Sequence, residues 1–432
     1  MTPSPKLPDH GAREAVVVGA GIVGICTALA LQDKGVQVSL IDRDGPADGA
    51  SSGNAGVISP WSCVPQSLPG IWKNVPRWLL DPSGPLALRW SYLPRLYPWL
   101  LKFFQAGGVS RLTQICDAML TLNRPSVEMY RQLLRGTGEE ALVRDCLYLH
   151  VYRDRHGADP EALAWRLRRD RGVPLELLQG GEIQELEPEI SPRFKSAMVI
   201  REQGRTVNPG RLGKVLADQA RIQGARFLRG RVTGIVPESG TRGYRIDTDQ
   251  GSYATRVVIL AAGAWSLRLL SSLGVQVPLE AERGYHLVFR DPGLCLEHSI
   301  MDADRKFVTS SMAMGVRSAG TAEFAGLDAV PDYRRARIFE SLAKTLLPNL
   351  NTESTEEWMG TRPASPDSVP FIGPLPGYPG IFCGFGHGHL GLTGAPMTGR
   401  MLAALVAEEP LNIDMAPYRL DRFNGTNPVA LQ

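Results

Sequence analysis

Three glycines, Gly19, Gly21 and Gly24, stand in the spacing G-x-G-x-x-G, and an acid, Asp42, follows eighteen residues after the last of them. That pattern suits a dinucleotide. The first glycine permits a tight turn, the second lets a pyrophosphate approach the backbone, and the third lets a helix close on its strand. The helix that starts there points unpaired N–H groups and a positive dipole end at the phosphates. The elements around the glycines complete the unit. Glu14 to Val18 reads as a buried strand, Ile25 to Lys34 as a helix stopped by Gly35, and Val36 to Ile41 as a second strand. Asp42 at its end would accept hydrogen bonds from ribose hydroxyls, which argues against a 2′-phosphate and so against NADP. NAD and FAD both remain open at this point. No second glycine fingerprint with its own strand, helix and acid occurs in the sequence, so one dinucleotide is expected, and a small molecule must exchange electrons with it directly.

The bulk properties set limits. At 432 residues the chain exceeds the size at which a single core stops growing, so two domains are expected. A formal charge of +3, spread along the chain, gives no bias toward nucleic acid. No apolar run reaches the ~20 residues that span a bilayer. The six cysteines lie far apart without a C-x-x-C pair, which fits reduced, mostly buried thiols and a cytoplasmic protein, soluble or peripheral to the inner face of the membrane. Met1 to His10 reads as a frayed tail without the features of a signal peptide.

From Pro60 to Phe104 the composition changes: five of the eight tryptophans and eight prolines fall here, so long regular elements are not expected. Helical patterns resume over 111–134 and 160–171. A strand, helix and strand follow over 202–231, Val257 to Leu260 is a short buried strand, and 285–324 is rich in strands. The chain closes on a strand at 380–383, a glycine loop at 384–391 and a helix at 392–408.

Several of these segments together carry a family resemblance. Ser51-Ser52-Gly53-Asn54-Ala55-Gly56-Val57-Ile58-Ser59-Pro60 resembles the segment that passes the flavin ring in bacterial D-amino acid dehydrogenases of the D-amino acid oxidase superfamily. Ala261-Ala262-Gly263-Ala264-Trp265-Ser266 is similar to that superfamily's late FAD-domain strand. Gly360-Thr361-Arg362-Pro363, Pro366-Asp367-Ser368-Val369-Pro370 and Gly386-His387-Gly388-His389-Leu390-Gly391-Leu392-Thr393 resemble its closing signatures, in the same order. Two positions depart from the pattern: Ser368 replaces a glycine, and His389 stands where relatives have threonine.

The resemblance implies a fold, a cofactor and a reaction. The fold class is α/β and α+β, with a Rossmann-type FAD-binding domain over 1–60, 195–280 and 355–432. A discontinuous, mixed-sheet substrate domain would take 61–194 and 281–354. FAD would lie along Gly19, Gly21, Ile22, Val23, Gly24, Asp42 and Arg43, then Ser51, Ser52, Asn54, Ala55, Gly56 and Val57. It would continue past Val232, Ala261, Ala262, Gly263, Trp265 and Gly360 to Gly386, Gly388, His389, Leu390, Gly391, Leu392 and Thr393. The last helix would face the flavin pyrimidine edge and stabilise the charge that arrives with a hydride. Arg362 would hold the carboxylate of a small D-amino acid, because guanidinium meets a planar carboxylate with two parallel donors. His389 and Tyr285 join it as candidate catalytic residues, although Tyr285 reads equally well as core. The product would be an imine that hydrolyses to a 2-oxo acid, or stays cyclic for a D-proline or D-hydroxyproline type of substrate. Two alternatives stay open: a sarcosine- or glycine-oxidase-like enzyme using oxygen, and the FAD subunit of a hetero-oligomeric dehydrogenase. The 60–104 stretch has two readings. One is a lid over the substrate domain; the other is a peripheral contact with an anionic membrane, with quinone as the electron acceptor. The lid is preferred, since no amphipathic helix shows in the sequence.

Overall fold

A computed structural model describes residues 14–240 and 243–423. The tail expected over 1–10 lies outside the described residues.

Glu14–Val18 and Gln37–Asp42 are parallel strands, in register from Glu14 with Gln37 to Val18 with Ile41. They sit in a six-stranded sheet with Arg226–Arg229, Val257–Leu260, Ile381–Phe385 and Phe371–Pro374. Nearly continuous apolar runs such as Ala15-Val16-Val17-Val18 belong here, because both faces of the sheet are covered by packed elements. One face takes helix Ile22–Gln32 and the last helix, Gly391–Val406. The two helices cross closely: a β-carbon on Gly399 would stand 2.6 Å from the Cys26 carbonyl oxygen.

The second sheet has eleven strands and mixed direction. Its centre is Glu280–Phe289, every residue of which is buried. That strand pairs on one side with Thr355–Ala364, and elsewhere with Gly315–Ala319 and Ala322–Phe324. The sheet continues through Phe307–Met312, Ser299–Asp302, Val143–Tyr152 and Ser196–Thr206. Ser196–Thr206 and Thr355–Ala364 pair entirely in this sheet, so its membership does not follow the segment limits expected at 195 and 355. Val57–Ile58 also joins its edge, against Gly204 and Arg205.

Two expectations about local structure need correction. The Trp- and Pro-rich stretch does hold a long helix, Leu93–Ala106, with Pro98 inside it. Its first turn tolerates proline because those N–H groups lack helical partners anyway, and Leu96 and Trp99 bury one face. The 111–134 pattern is two helices, Val109–Asn123 and Ser126–Leu134, divided at Pro125. No helix among the described residues is long and apolar enough to cross a membrane.

Candidate active site

A cavity of about 820 Å³ runs between the two sheets. The glycine fingerprint forms one end. Gly19 has φ +108°, and a β-carbon there would meet the Ala261 carbonyl oxygen at 2.5 Å. A β-carbon on Gly24 would come within 1.9 Å of the Gly19 carbonyl oxygen, so this glycine packs the helix on its strand and does not line the cavity. Gly21 differs from both. Its missing β-carbon would have only Ser51 Oγ near it, at 3.4 Å, and the space it leaves belongs to the cavity. Gly21 is also the N-cap of helix Ile22–Gln32 and offers no side chain to the first-turn amides. A helix start whose N-cap residue has no side chain, beside open space, is a cradle for a pyrophosphate.

Other members support the cradle. Asp42 accepts from the amides of Ala20 at 2.7 Å and Asp44 at 2.9 Å. Burial raises its carboxyl above the usual range, against the pull of those two bonds. Ser51 Oγ accepts from the Ile22 amide at 3.0 Å. Arg43 lies 4.0 Å over the Trp265 ring, and both side chains line the cavity, forming a flat wall at the nucleotide end. Val23, Asn54, Ala55, Val57, Val232, Ala261, Ala262 and Gly263 also line it, as do Gly360, Gly388, Leu390, Gly391 and Leu392. The last helix starts at Gly391 without a side-chain cap, so a second helix N-terminus opens on the same space.

Four more of the expected cofactor residues stand off the cavity wall. Ser52 Oγ bonds back to the Gly49 carbonyl at 2.9 Å. Gly56 has φ +78° and takes its place because the Thr206 backbone passes close behind it. Gly386 packs on Phe371. Thr393 is buried and accepts from the Ser59 amide at 3.2 Å, which ties the last helix to the 51–60 segment. These residues shape the cradle from behind.

At the other end, side chains face the cavity. Arg362 and Glu282 occupy opposite positions on paired strands, and Arg362 Nη1 is ion-paired with Glu282 Oε1. The same nitrogen donates to the Thr321 carbonyl at 3.1 Å. The guanidinium lies flat over Gly284, where a β-carbon would fall 2.2 Å from Nη2. Beside this pair is a slot for Trp358. Its ring lies where β-carbons of both Gly53 and Gly360 would be, at 2.1 and 2.0 Å. On its other face it stacks on His286, with centroids 4.8 Å apart and planes at 11°. His286 is buried, and its Nδ1 donates to the Gly53 carbonyl at 3.0 Å. Burial and nearby Arg317 depress its pKa to about 3, so the ring is neutral.

The two remaining catalytic candidates separate. His389 faces the cavity, and the Gln66 side-chain amide donates to its Nδ1 at 3.2 Å. Its side chain is open to the cavity, yet the protein around it lowers its pKa, which favours a neutral ring carrying its proton on Nε2. Gln66 is held in turn by Ser368 Oγ, which accepts its backbone N–H at 3.0 Å. Ser368 has φ +64°, so the turn of the family's glycine is kept at a cost of about 1 kcal/mol. Tyr285 borders the cavity, but its hydroxyl is engaged elsewhere. Its hydroxyl donates to Glu323 Oε2 at 2.6 Å and accepts the Asp332 amide at 3.0 Å, which fits the core reading. His387 is also committed, with Nε2 bonded to Thr398 Oγ1 at 2.8 Å.

Glu282, Trp358 and Gln66 escaped sequence reasoning. The signal for Glu282 was present: an acid inside Glu280-Ala281-Glu282-Arg283-Gly284-Tyr285, a strand that is otherwise set for full burial. The 60–104 stretch covers the cavity with Ile71, Val75, Trp78, Trp99 and Phe103, and Trp99 Nε1 donates to the Ala364 carbonyl at 3.0 Å.

Known proteins are similar to this chain. The model of the DAO family, described as FAD dependent oxidoreductase, matches residues 14–405. A D-amino-acid oxidase of Bradyrhizobium diazoefficiens is 37% identical over 418 residues, covering 95% of this chain and 99% of that protein. A D-amino acid dehydrogenase of the same organism is 28% identical, covering 95% and 99%. Among solved structures, glycine oxidase from Geobacillus kaustophilus aligns with a TM-score of 0.74 at 22% identity, covering 96% of this chain and all of that one. L-proline dehydrogenase from P. horikoshii aligns at 0.73 and 19% identity, covering 96% and 99%. At these identities the two structures speak for the fold.

Proposed function

Because this chain belongs to the FAD dependent oxidoreductase family, we propose that it oxidises a small D-amino acid at the α-carbon. The observation that carries the reading is the Arg362–Glu282 pair facing the cavity that also holds the dinucleotide cradle. The relative named D-amino-acid oxidase supports the D configuration.

When bound, FAD supplies the acceptor for the two electrons and the hydrogen that leave the α-carbon. The residues of the chain bind and orient. Arg362 takes the substrate carboxylate with two parallel donors. Glu282 takes the ammonium. A zwitterion therefore satisfies both members of the pair, and neither charge is left buried alone. The amine must be neutral to lose its α-hydrogen as hydride, and the Glu282 carboxylate is placed to hold the proton that the ammonium gives up. His389, neutral, offers Nε2–H as a hydrogen-bond donor at the same wall. The apolar cover from 60–104 excludes water while the carbon is oxidised. The imine formed then takes up water and yields a 2-oxo acid and ammonia; a proline analogue keeps its ring.

The test is anaerobic. The FAD-loaded protein is mixed with D- and L-amino acids, sarcosine, glycine and both prolines, and the visible flavin band is followed. Bleaching by D-amino acids and not by sarcosine upholds the reading. Bleaching by sarcosine or glycine alone moves it to the oxygen-using amine oxidases, and hydrogen peroxide then accumulates in air.

The outer side of 71–104 supports a peripheral contact as well. Trp72, Leu80, Trp90 and Tyr97 are exposed there, among Lys73, Arg77, Arg89 and Arg95. Such a face seats on an anionic bilayer, where a quinone would take the electrons. Co-sedimentation with phosphatidylglycerol vesicles at low salt tests this, and protein left in the supernatant removes it.

A further inference from the structure

The cavity has a second cationic end that the pair at Arg362 does not use. A row of residues crosses four neighbouring strands of the large sheet: Ala319 beside Val308, Val308 beside Met301, Met301 beside His150. All four line the cavity. Paired residues of adjacent strands project on one face, so they form a floor that is aliphatic until its last member.

Beyond that member stand Arg168, from helix Leu163–Arg169, and Lys306, from the turn before Phe307. Arg168 lies 4.7 Å over the Trp165 ring and donates from Nη1 to the Ala164 carbonyl at 3.1 Å. Its Nε is buried without a partner, and so is His150 Nε2. Lys306 opens into the cavity, yet the protein around it holds its ammonium below the usual range, against the pull of Asp304 and Asp302 and with Arg168 adding to the effect. Among the described residues, Lys306 Nζ has no hydrogen bond and no ion pair. The acids nearest to it are already taken: Asp302 and Asp304 both bind Arg153, at 2.7 and 3.1 Å. Asp302 also accepts the amides of Asp304 and Arg305. Two cations and unpartnered polar nitrogens thus gather at the end of an apolar floor, and neither cation is in an ion pair among the described residues. An anion completes such a site.

Resting on the function proposed above, we infer that the preferred substrate is an amino acid whose aliphatic side chain ends in a second acid group. Its α-carboxylate lies on Arg362, its methylenes rest on the floor that begins at Ala319 and Val308, and its distal carboxylate sits between Lys306 and Arg168.

The experiment compares D-glutamate with D-glutamine, and D-2-aminoadipate with D-norleucine, in anaerobic reduction of the FAD-loaded enzyme. The acid of each pair is expected to lead in kcat/KM by a factor on the order of ten to a hundred. Lys306 has φ +61°, a conformation that asparagine accepts, so Lys306→Asn keeps the turn while removing the charge. It should bring both ratios close to one, and Lys306→Arg should restore most of them. Glutarate, which cannot be oxidised in this way, gives a second readout through the shift it causes in the flavin band. Its Kd should weaken on the order of tenfold in Lys306→Asn. Equal rates for acid and neutral partners overturn the inference, and so do ratios that Lys306→Asn leaves unchanged. Fast reduction by neutral D-amino acids with no Lys306 dependence leaves the proposed function standing and removes the subsite. Lys306-dependent glutarate binding without reduction by any amino acid does the reverse.

Discussion

At the Gly19 end of the cavity the ligand-facing groups belong mostly to the backbone: first-turn amides of two helices, set in place by glycines and a half-buried aspartate. At the Arg362 end they are side chains, drawn from strands distant in sequence and held by ion pairs and stacked rings. The first kind of site fails when a β-carbon is added and is insensitive to the charge of its neighbours. The second kind fails when one partner of a pair is removed, because the other charge is then buried alone.

The largest effect expected from that contrast is on turnover without loss of cofactor. Arg362→Met should lower kcat/KM for a D-amino acid by on the order of a thousandfold, about 4 kcal/mol, while the purified protein stays yellow. If Arg362→Met colours and turns over normally, the side-chain end is not where substrate binds. Gly24→Ala is the converse. Its β-carbon meets the Gly19 backbone at 1.9 Å, so a cost of about 3 kcal/mol and loss of FAD are expected, read as flavin-to-protein ratio and melting temperature. A fully loaded Gly24→Ala enzyme would break the backbone account.

The third effect is on pH. His286 is depressed to about 3 in the fold by burial, while an unfolded histidine titrates near 6.5. The unfolded chain therefore takes up its proton first. The contribution of His286 to stability is complete above pH ~6.5 and declines as pH falls toward 3, by up to about 1.4 kcal/mol per pH unit. His286→Gln should flatten the fall in melting temperature between pH 6.5 and 4.5; an unchanged slope would mean that His286 is not responsible. The smallest effect is at Ser52, which stands behind the cradle. Ser52→Ala should change folding stability and FAD affinity by no more than about 0.5 kcal/mol.

The same contrast explains what could be read in advance. Gly19, Gly21 and Gly24 were legible because sterics leaves no other residue for their places, and the spacing of the three is local. The large sheet was less so. Ser196–Thr206 and Thr355–Ala364 look like strands in sequence, but nothing local says which sheet they join. Glu282 and Arg362 meet only because their strands pair across eighty residues of chain, and Arg168 and Lys306 converge from a helix and a turn. The helix over 93–106 was hidden by its prolines, which fall where helical N–H groups are dispensable or where one lost bond is outweighed by the burial of Leu96 and Trp99.

Trp358 carries a last consequence. Its indole fills the space that two glycines leave, Gly53 in the cofactor segment and Gly360 next to it in the strand, and no single enlargement at either glycine fits beside it. The three positions can therefore drift only in concert. A lineage that gains a side chain at position 53 or 360 must first have shrunk the tryptophan, so the order of substitutions is constrained as well as their identity.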